Sequence, residues 1–221
     1  MNARLVAVCT GRPERRGTSG AADPFDRAWQ SAIWKTAVAA PVQVGALGLD
    51  GDVQVDTRVH GGPDKAVLAY AVRHYAGTWR EVFGQELLPG AFGENLAIDG
   101  LDETSVAIGD VFAIGAARLQ VSQPRGPCWK LVRKFRRADL VERVIENGFT
   151  GWYMRVLEAG TVAAGSPVAL VDRPHPALTI AVVNRVLYHR PLDRPAAAAL
   201  AACAELAPNL RRQIAGKLGA P

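Results

Sequence analysis

One cysteine sits where chemistry is easily done. In "SQPRGPCWKL", residues 122–131, Cys128 stands between Pro127 and Trp129, with Arg125 ahead of it and Lys130 behind. Gly126-Pro127 reads as a helix entrance, because proline is favoured at the first helical position. "CWKLVRKF" then places Leu131 and Phe135 at i, i+4. Cys128 is expected in the first helical turn, where free N–H groups, the helix dipole and neighbouring cations lower a thiol's pKa. A thiolate attacks electrophiles or binds soft metals; an inert buried cysteine is the equal alternative. Cys9, in the apolar run "LVAVC", and Cys203, on an alanine-rich helix, read as structural.

Two glycine loops carry the other chemistry-bearing side chains. In "DTRVHGGPDKAV", Gly61-Gly62-Pro63 forces a tight turn before a strand, with His60 and Lys65 on its flanks. Imidazole and ammonium there suit a phosphate or an anionic ring, and glycine lets backbone approach a ligand closely. In "PGAFGENL", Gly90 and Gly93 bracket Phe92, and Glu94 and Asn95 follow. Each loop alone reads more simply as an ordinary turn. The histidines and cysteines show no metal-knuckle spacing, so zinc is set aside. A nucleophilic pair of Cys128 with His60 stays open, because such partners need only meet in space. The basic run "RKFRR", residues 133–137, reads as a solvated helix face in preference to a nucleic-acid contact.

The elements that must position these residues are short. Up to about Asp172 the chain is strand-rich and punctuated by glycine. "RLVAVC", "AIWKTAV", "KAVLAYA" and "SPVALVD" read as strands, and "DVFAIGAARLQVSQ" as a hairpin turning at Gly115. Helices are expected over residues 73–83 and 140–146, the second from the stripe Leu140, Val141, Val144, Ile145. Residues 11–28, charged and without periodicity, read as a loop. After "DRPHP" come three helical segments separated by proline turns. The expectation is a mostly β fold with helical insertions over residues 1–172, and a small three-helix domain over 173–221.

Composition bounds the rest. Of 221 residues 49% are hydrophobic, which excludes global disorder. The net charge of +5 suits an anionic ligand as well as nucleic acid. Three dispersed cysteines imply no disulfide framework and a cytoplasmic, reducing setting. The first apolar run is too short for a signal peptide, and no apolar window approaches the roughly 18 residues of a membrane span.

Taken together, these stretches resemble a MOSC domain, the module related to the C-terminal part of molybdenum cofactor sulfurases, in its YiiM-like branch. "VHGGPDKAV", "FGENL", "IGDVFAIG" and "QVSQPRGPCWKL" follow that family's order and approximate spacing, and the tail resembles its three-α-helix domain. The resemblance covers nearly the whole chain. It implies a β-barrel-like core that binds the molybdenum cofactor, a pterin dithiolene bearing a phosphate. It also implies one cysteine as protein ligand to molybdenum, here Cys128, the metal-binding and catalytic residue. His60, Gly61, Lys65 and Arg125 are candidates to hold the pterin phosphate or ring edges. Asn95, Ser122 and Gln123 are candidates to hydrogen-bond pterin or substrate. Trp129, Phe92 and residues 11–28 are candidates to recognise a planar base.

The family similarity implies reduction of N-hydroxylated compounds such as 6-hydroxylaminopurine. Larger relatives append a ferredoxin-like domain with clustered cysteines. This chain has no such cluster, so a separate electron-donor protein is expected. A cofactor carrier without turnover is the alternative, and a homodimer is left open.

Overall fold

The computed structural model of the chain describes residues 3–57 and 60–219. Val59 of "VHGGPDKAV" and residues 220–221 of the expected helical domain lie outside the described residues. The first strands are β1 (Ala3–Thr10), β2 (Glu14–Arg16), β3 (Trp29–Ser31), β4 (Thr36–Val38), β5 (Val42–Gly45) and β6 (Gly48–Leu49). A 3₁₀ turn (Pro63–Lys65) leads into β7 (Val67–Ala71); an irregular helical turn (Tyr75–Trp79) runs into α1 (Arg80–Phe83). Then follow β8 (Leu96–Asp99), β9 (Val111–Ile114), β10 (Ala117–Pro124), α2 (Trp129–Phe135), α3 (Leu140–Asn147), β11 (Trp152–Glu158), β12 (Gly160–Val162) and β13 (Pro167–Asp172). The chain finishes with α4 (Ile180–Tyr188), α5 (Arg194–Ala202) and α6 (Pro208–Gly219).

Seven strands close into a barrel in the order β1–β8–β7–β11–β10–β9–β13, and β13 returns to β1 through Ala3↔Val168 and Arg4↔Pro167. Neighbours are antiparallel except β7 and β8, which run parallel. Closure removes the unpaired edges that an open sheet would expose. The expected β-barrel core with helical insertions and a C-terminal helical domain is therefore what the chain forms.

Alternation fills the interior. Val67, Ala69 and Ala71 of β7 point inward, as do Leu96 and Ile98 of β8 and Trp152 and Met154 of β11. In β1 the register against β8 shifts between Leu5 and Ala7. That irregularity flips the faces: Leu5 and Val8 both enter the interior, while Ala7 and Cys9 turn outward against Ala97.

Two layers cover the barrel. An aromatic cluster of Tyr70, Tyr75, Trp79 and Phe92 with Leu131, Leu140 and Val144 seats α1–α3 on the outer face of β7. On another side, Ile180, Val183 and Val186 of α4, Leu200 of α5 and Ile214 of α6 belong to the same buried cluster as the barrel interior. The helical domain thus shares a core with the barrel.

Three expectations shift. Residues 11–28 are more than a loop: they contain β2, which pairs with β3 just after them as a hairpin, Glu14↔Ser31 through Arg16↔Trp29. Strands of three residues, one charged (Glu14–Arg16) and one burying only Ser31, are too short to show alternation, so periodicity misses them. The "AIWKTAV" strand is shorter, because the Ile33 N–H turns back to Ser31 Oγ at 3.2 Å and only Thr36–Val38 joins the sheet. The helix over residues 73–83 is broken at Gly77, whose φ −92°, ψ −112° is not helical.

Candidate active site

The candidate residues gather on the barrel's outer face. Between the inward residues of β7 and β11, Leu68 and Tyr153 point out and floor a cleft of about 590 Å³, its open mouth included. His60, Gly61 and Lys65 line it from the loop ahead of β7, and Asn95 from the loop ahead of β8. Arg125, Cys128 and Lys130 line it from the entry to α2. Six of the eight candidates therefore meet in one place, from three separate loops.

Cys128 caps α2 and lies just outside its first turn. Its backbone is extended (φ −130°, ψ 131°), and its sulfur accepts the Lys130 N–H at 3.5 Å. A helix N-terminus leaves N–H groups unpaired, and here the thiol takes the place of the usual capping oxygen. The helix thus starts two residues after Pro127, later than proline's preference for the first turn implies.

The loop ahead of β7 is fixed from beneath. Ser122 Oγ donates to Asp64 O at 2.5 Å and Arg155 pairs with the Asp64 carboxylate at 2.7 Å, which sets the 3₁₀ turn carrying Lys65. Gly61 has φ 95°, and a Cβ there would meet Gln54 Oε1 at 2.4 Å. The positive φ favours glycine there, whereas the Gln54 amide is the flexible end of a side chain that could move aside. Asn95 joins β8 to β7: its N–H donates to Leu68 O at 2.8 Å and its Oδ1 accepts the Leu68 N–H at 3.1 Å. Its Nδ2 donates to Cys9 O and to Asp52 Oδ2, at 3.3 and 2.9 Å, so both amide hydrogens are already placed.

The cleft is electropositive. Arg125 is only 7% exposed, and among the described residues its guanidinium has no hydrogen bond or ion pair. Burial lowers the pKa of Lys65, with Asp64 opposing. Burial also pushes the His60 pKa down to about 4, helped by Lys130, Arg125 and Lys65. His60 is therefore a neutral imidazole at pH 7. Lys35, a lining residue, has a side chain 8% exposed and sits 2.6 Å from Asp52. Burial lowers its pKa and Asp52 opposes that shift.

Sequence reasoning passed over Lys35. The available signal was a single ammonium inside the apolar, β-forming run "AIWKTAV". It also passed over Tyr153 and Gln54, which the fold alone brings to the cleft.

Other candidates lie elsewhere. Ser122 and Gln123 are in β10 and off the cleft lining: Ser122 also donates to Tyr153 O at 3.1 Å, and Gln123 Nε2 donates to Pro124 O at 3.4 Å. Phe92 is fully buried and stacked on Tyr70 at 4.9 Å, so it faces the aromatic cluster and no base can reach it. Trp129, by contrast, is 54% exposed, with its ring 5.6 Å from Trp29. Cys9 is fully buried, and burial pushes its pKa up to about 12.

The basic run at residues 133–137 is not a free stripe. Arg133 donates to Phe25 O and Arg27 O, and Lys134 to Ile33 O, Gly90 O and Ala91 O. Arg136 pairs with Asp26 and Arg137 with Asp139. Arg133 and Arg136 thus tie the segment after β2 to α2 and Lys134 ties the Gly90 loop to it, while the Arg136 side chain stays solvent-exposed and that of Arg137 partly so.

Among known proteins, the MOSC domain model matches residues 56–169, and the YiiM-like 3-alpha helix domain model matches residues 178–218. Protein YiiM of Escherichia coli (strain K12) is 40% identical over 166 residues, 74% of this chain and 73% of that protein. A protein named "Reductase" from Gibberella moniliformis is 37% identical over 164 residues, 72% of this chain and 29% of that protein. The crystal structure of YiiM from Geobacillus stearothermophilus superposes with a TM-score of 0.80 at 35% identity, covering 98% of this chain and 99% of that one. The chain belongs to the MOSC family, as a YiiM-like member.

Proposed function

We propose that the protein is a molybdenum-cofactor-dependent reductase of N-hydroxylated compounds, N-hydroxylated purine bases among them, with Cys128 as the protein ligand to molybdenum. One observation carries this reading: Cys128 lines the same cleft as Arg125, a residue 7% exposed whose guanidinium has no protein acceptor among the described residues. A soft sulfur donor beside an uncompensated cation fits a metal group that carries a phosphate. Membership in the MOSC family and the reductase name of one relative support it.

When bound, the cofactor supplies two-electron oxygen-atom transfer. The overall reaction takes up two electrons and two protons, breaks the N–O bond, and yields the N–H compound and water. The chain's own residues do the rest. Cys128 offers its sulfur from the cap of α2, with the Lys130 N–H directed at it. Arg125 and Lys65 hold the phosphate, and Gly61 lets backbone come close to it. Neutral His60 donates or accepts one hydrogen bond without adding charge. Lys35 and Asn95 brace the wall through Asp52. Trp129, adjacent in sequence to the lining residue Cys128 though not itself in the lining, is with Trp29 the aromatic pair on which a planar base would stack.

The three cysteines are unpaired and dispersed, so this stretch of chain offers no cysteine cluster for an iron–sulfur centre, and the reading assigns electron supply to a separate donor protein. Free thiols fit a reducing cytoplasm, and no described helix is long and apolar enough to cross a membrane. The barrel domain spans residues 1–172 and the helical domain 173–221. The test supplies freshly purified, pterin-containing protein with a chemical electron donor and 6-hydroxylaminopurine, and follows product formation. Turnover abolished by Cys128→Ser supports the reductase. Bound pterin with no turnover of any N-hydroxylated substrate would favour a cofactor carrier instead.

A further inference from the structure

At the junction of barrel and helices, three ligand-type side chains converge that the cleft does not use. His175 stands in the turn between β13 and α4, Cys203 closes α5, and Glu205 lies in the turn to α6. Glu205 Oε2 is 2.7 Å from His175 Nε2 and 3.6 Å from Cys203 Sγ. All three donor atoms lie within 4.8 Å of one another. The spacing of histidines and cysteines along the chain gives no sign of this; only the fold assembles it.

The surroundings hold the cluster in place. A Cβ on Gly109 would meet Pro174 Cγ at 2.8 Å and Glu205 Cγ at 3.2 Å, so the loop ahead of β9 backs directly onto it. Arg173, two residues before His175, pairs with buried Asp110 at 2.6 Å. Cys203 is 3% exposed, whereas the His175 and Glu205 side chains are 33% and 30% exposed. The sulfur is thus fixed inside while one side of the cluster opens to solvent. Burial, with the Glu205 carboxylate beside it, raises the Cys203 thiol's pKa, and the backbone N–H groups of Leu206 and Glu205 oppose that shift.

We propose that His175, Cys203 and Glu205 form a zinc site with three protein ligands and a fourth position open to water. Imidazole, thiolate and carboxylate are the donors Zn²⁺ takes, and thiolate plus carboxylate balance its charge. Tetrahedral bonds of about 2.0–2.3 Å place neighbouring donor atoms about 3.3–3.6 Å apart. The observed 2.7 and 3.6 Å bracket that separation, so small side-chain rotations admit the ion. A partly exposed His–Glu pair contributes little to stability, and the Cys203 thiol, donating to the same Glu205 oxygen at 3.6 Å, is the third donor that deprotonation would turn into a zinc ligand. Zinc here ties the β13–α4 turn to the α5–α6 turn and clamps the helices to the barrel.

The test titrates the full-length chain with zinc chloride against a fluorescent chelator, then repeats with cobalt(II) and reads thiolate-to-cobalt charge-transfer absorption. One zinc per chain is expected in the unmodified protein and in Cys128→Ser. Cys203→Ser and His175→Gln, shown folded by circular dichroism, are expected to bind more weakly by more than the about 10–100-fold that an outer-shell partner costs. The Cys203→Ser chain should also lose the charge-transfer band. The proposal is overturned if the unmodified chain takes up no zinc. It is overturned equally if zinc affinity and the cobalt band survive in Cys203→Ser and His175→Gln, or if both vanish in Cys128→Ser alone.

Discussion

Arg125→Met separates function from stability most sharply. The guanidinium is 7% exposed, lines the cleft and has no protein partner among the described residues. A buried charge without compensation is unfavourable to the fold, and methionine keeps much of the stem's volume. With the open mouth allowing hydration, removing the charge should stabilise the protein by about 1 kcal/mol, a rise in Tm of about 2–4 °C. The same change removes a charge-assisted contact to the cofactor phosphate, taken at about 2 kcal/mol, or about 30-fold in affinity. Arg125 also helps hold the His60 pKa down, so that pKa should rise. The assays are a thermal melt, the rate of pterin loss on dialysis, and His60 titration by NMR. A lower Tm together with an unchanged rate of pterin loss would show that Arg125 serves the fold, and would refute the reasoning.

Other outcomes follow from the same geometry. With its folded pKa near 4 against an ordinary 6.5, His60 resists a proton that the unfolded chain accepts. Stability should therefore fall as pH drops from about 6.5 to 4, by about 1–2 kcal/mol after solvent screening. Denaturant melts at the two ends should show that slope reduced in His60→Gln, and identical slopes would contradict it. Trp129→Ala should lower kcat/KM for an N-hydroxylated purine more than for a small N-hydroxylated aliphatic, by the about 1–3 kcal/mol that base stacking contributes. An equal loss for both would assign the ring to packing. No lining residue lies beyond Tyr153, yet α4–α6 share the barrel's core. A chain ending at Asp172 should therefore lose more than about 5 °C in Tm or aggregate, and any folded fraction should retain pterin; an unchanged melt would mean the helices form a separate core.

Local patterns were legible wherever burial imposes a period. The β9–β10 hairpin turns at Gly115, whose φ is 56°, and the Leu140 and Val144 stripe is the buried face of α3. The six candidates that line the cleft were marked by the resemblance of their stretches to a known family; from the residues alone each glycine loop reads as an ordinary turn. The limits are also physical. Phe92 looks like a recognition ring in sequence, but only its neighbours reveal that it stacks on Tyr70 inside the core. Ser122 lies six residues ahead of the cysteine in the same motif, yet at a register shift in β10 its hydroxyl turns to Asp64 O. Lys35, and the cluster of His175, Cys203 and Glu205, depend on chain segments far apart in sequence, so no local window contains them.

The central claim is that Cys128 holds molybdenum, and metal analysis tests it most directly. Molybdenum and pterin per chain are measured on freshly purified unmodified protein, Cys128→Ser and Cys203→Ser, alongside reductase turnover. The account predicts that Cys128→Ser loses molybdenum or all turnover, while Cys203→Ser keeps both. Full molybdenum and full turnover in Cys128→Ser would contradict it.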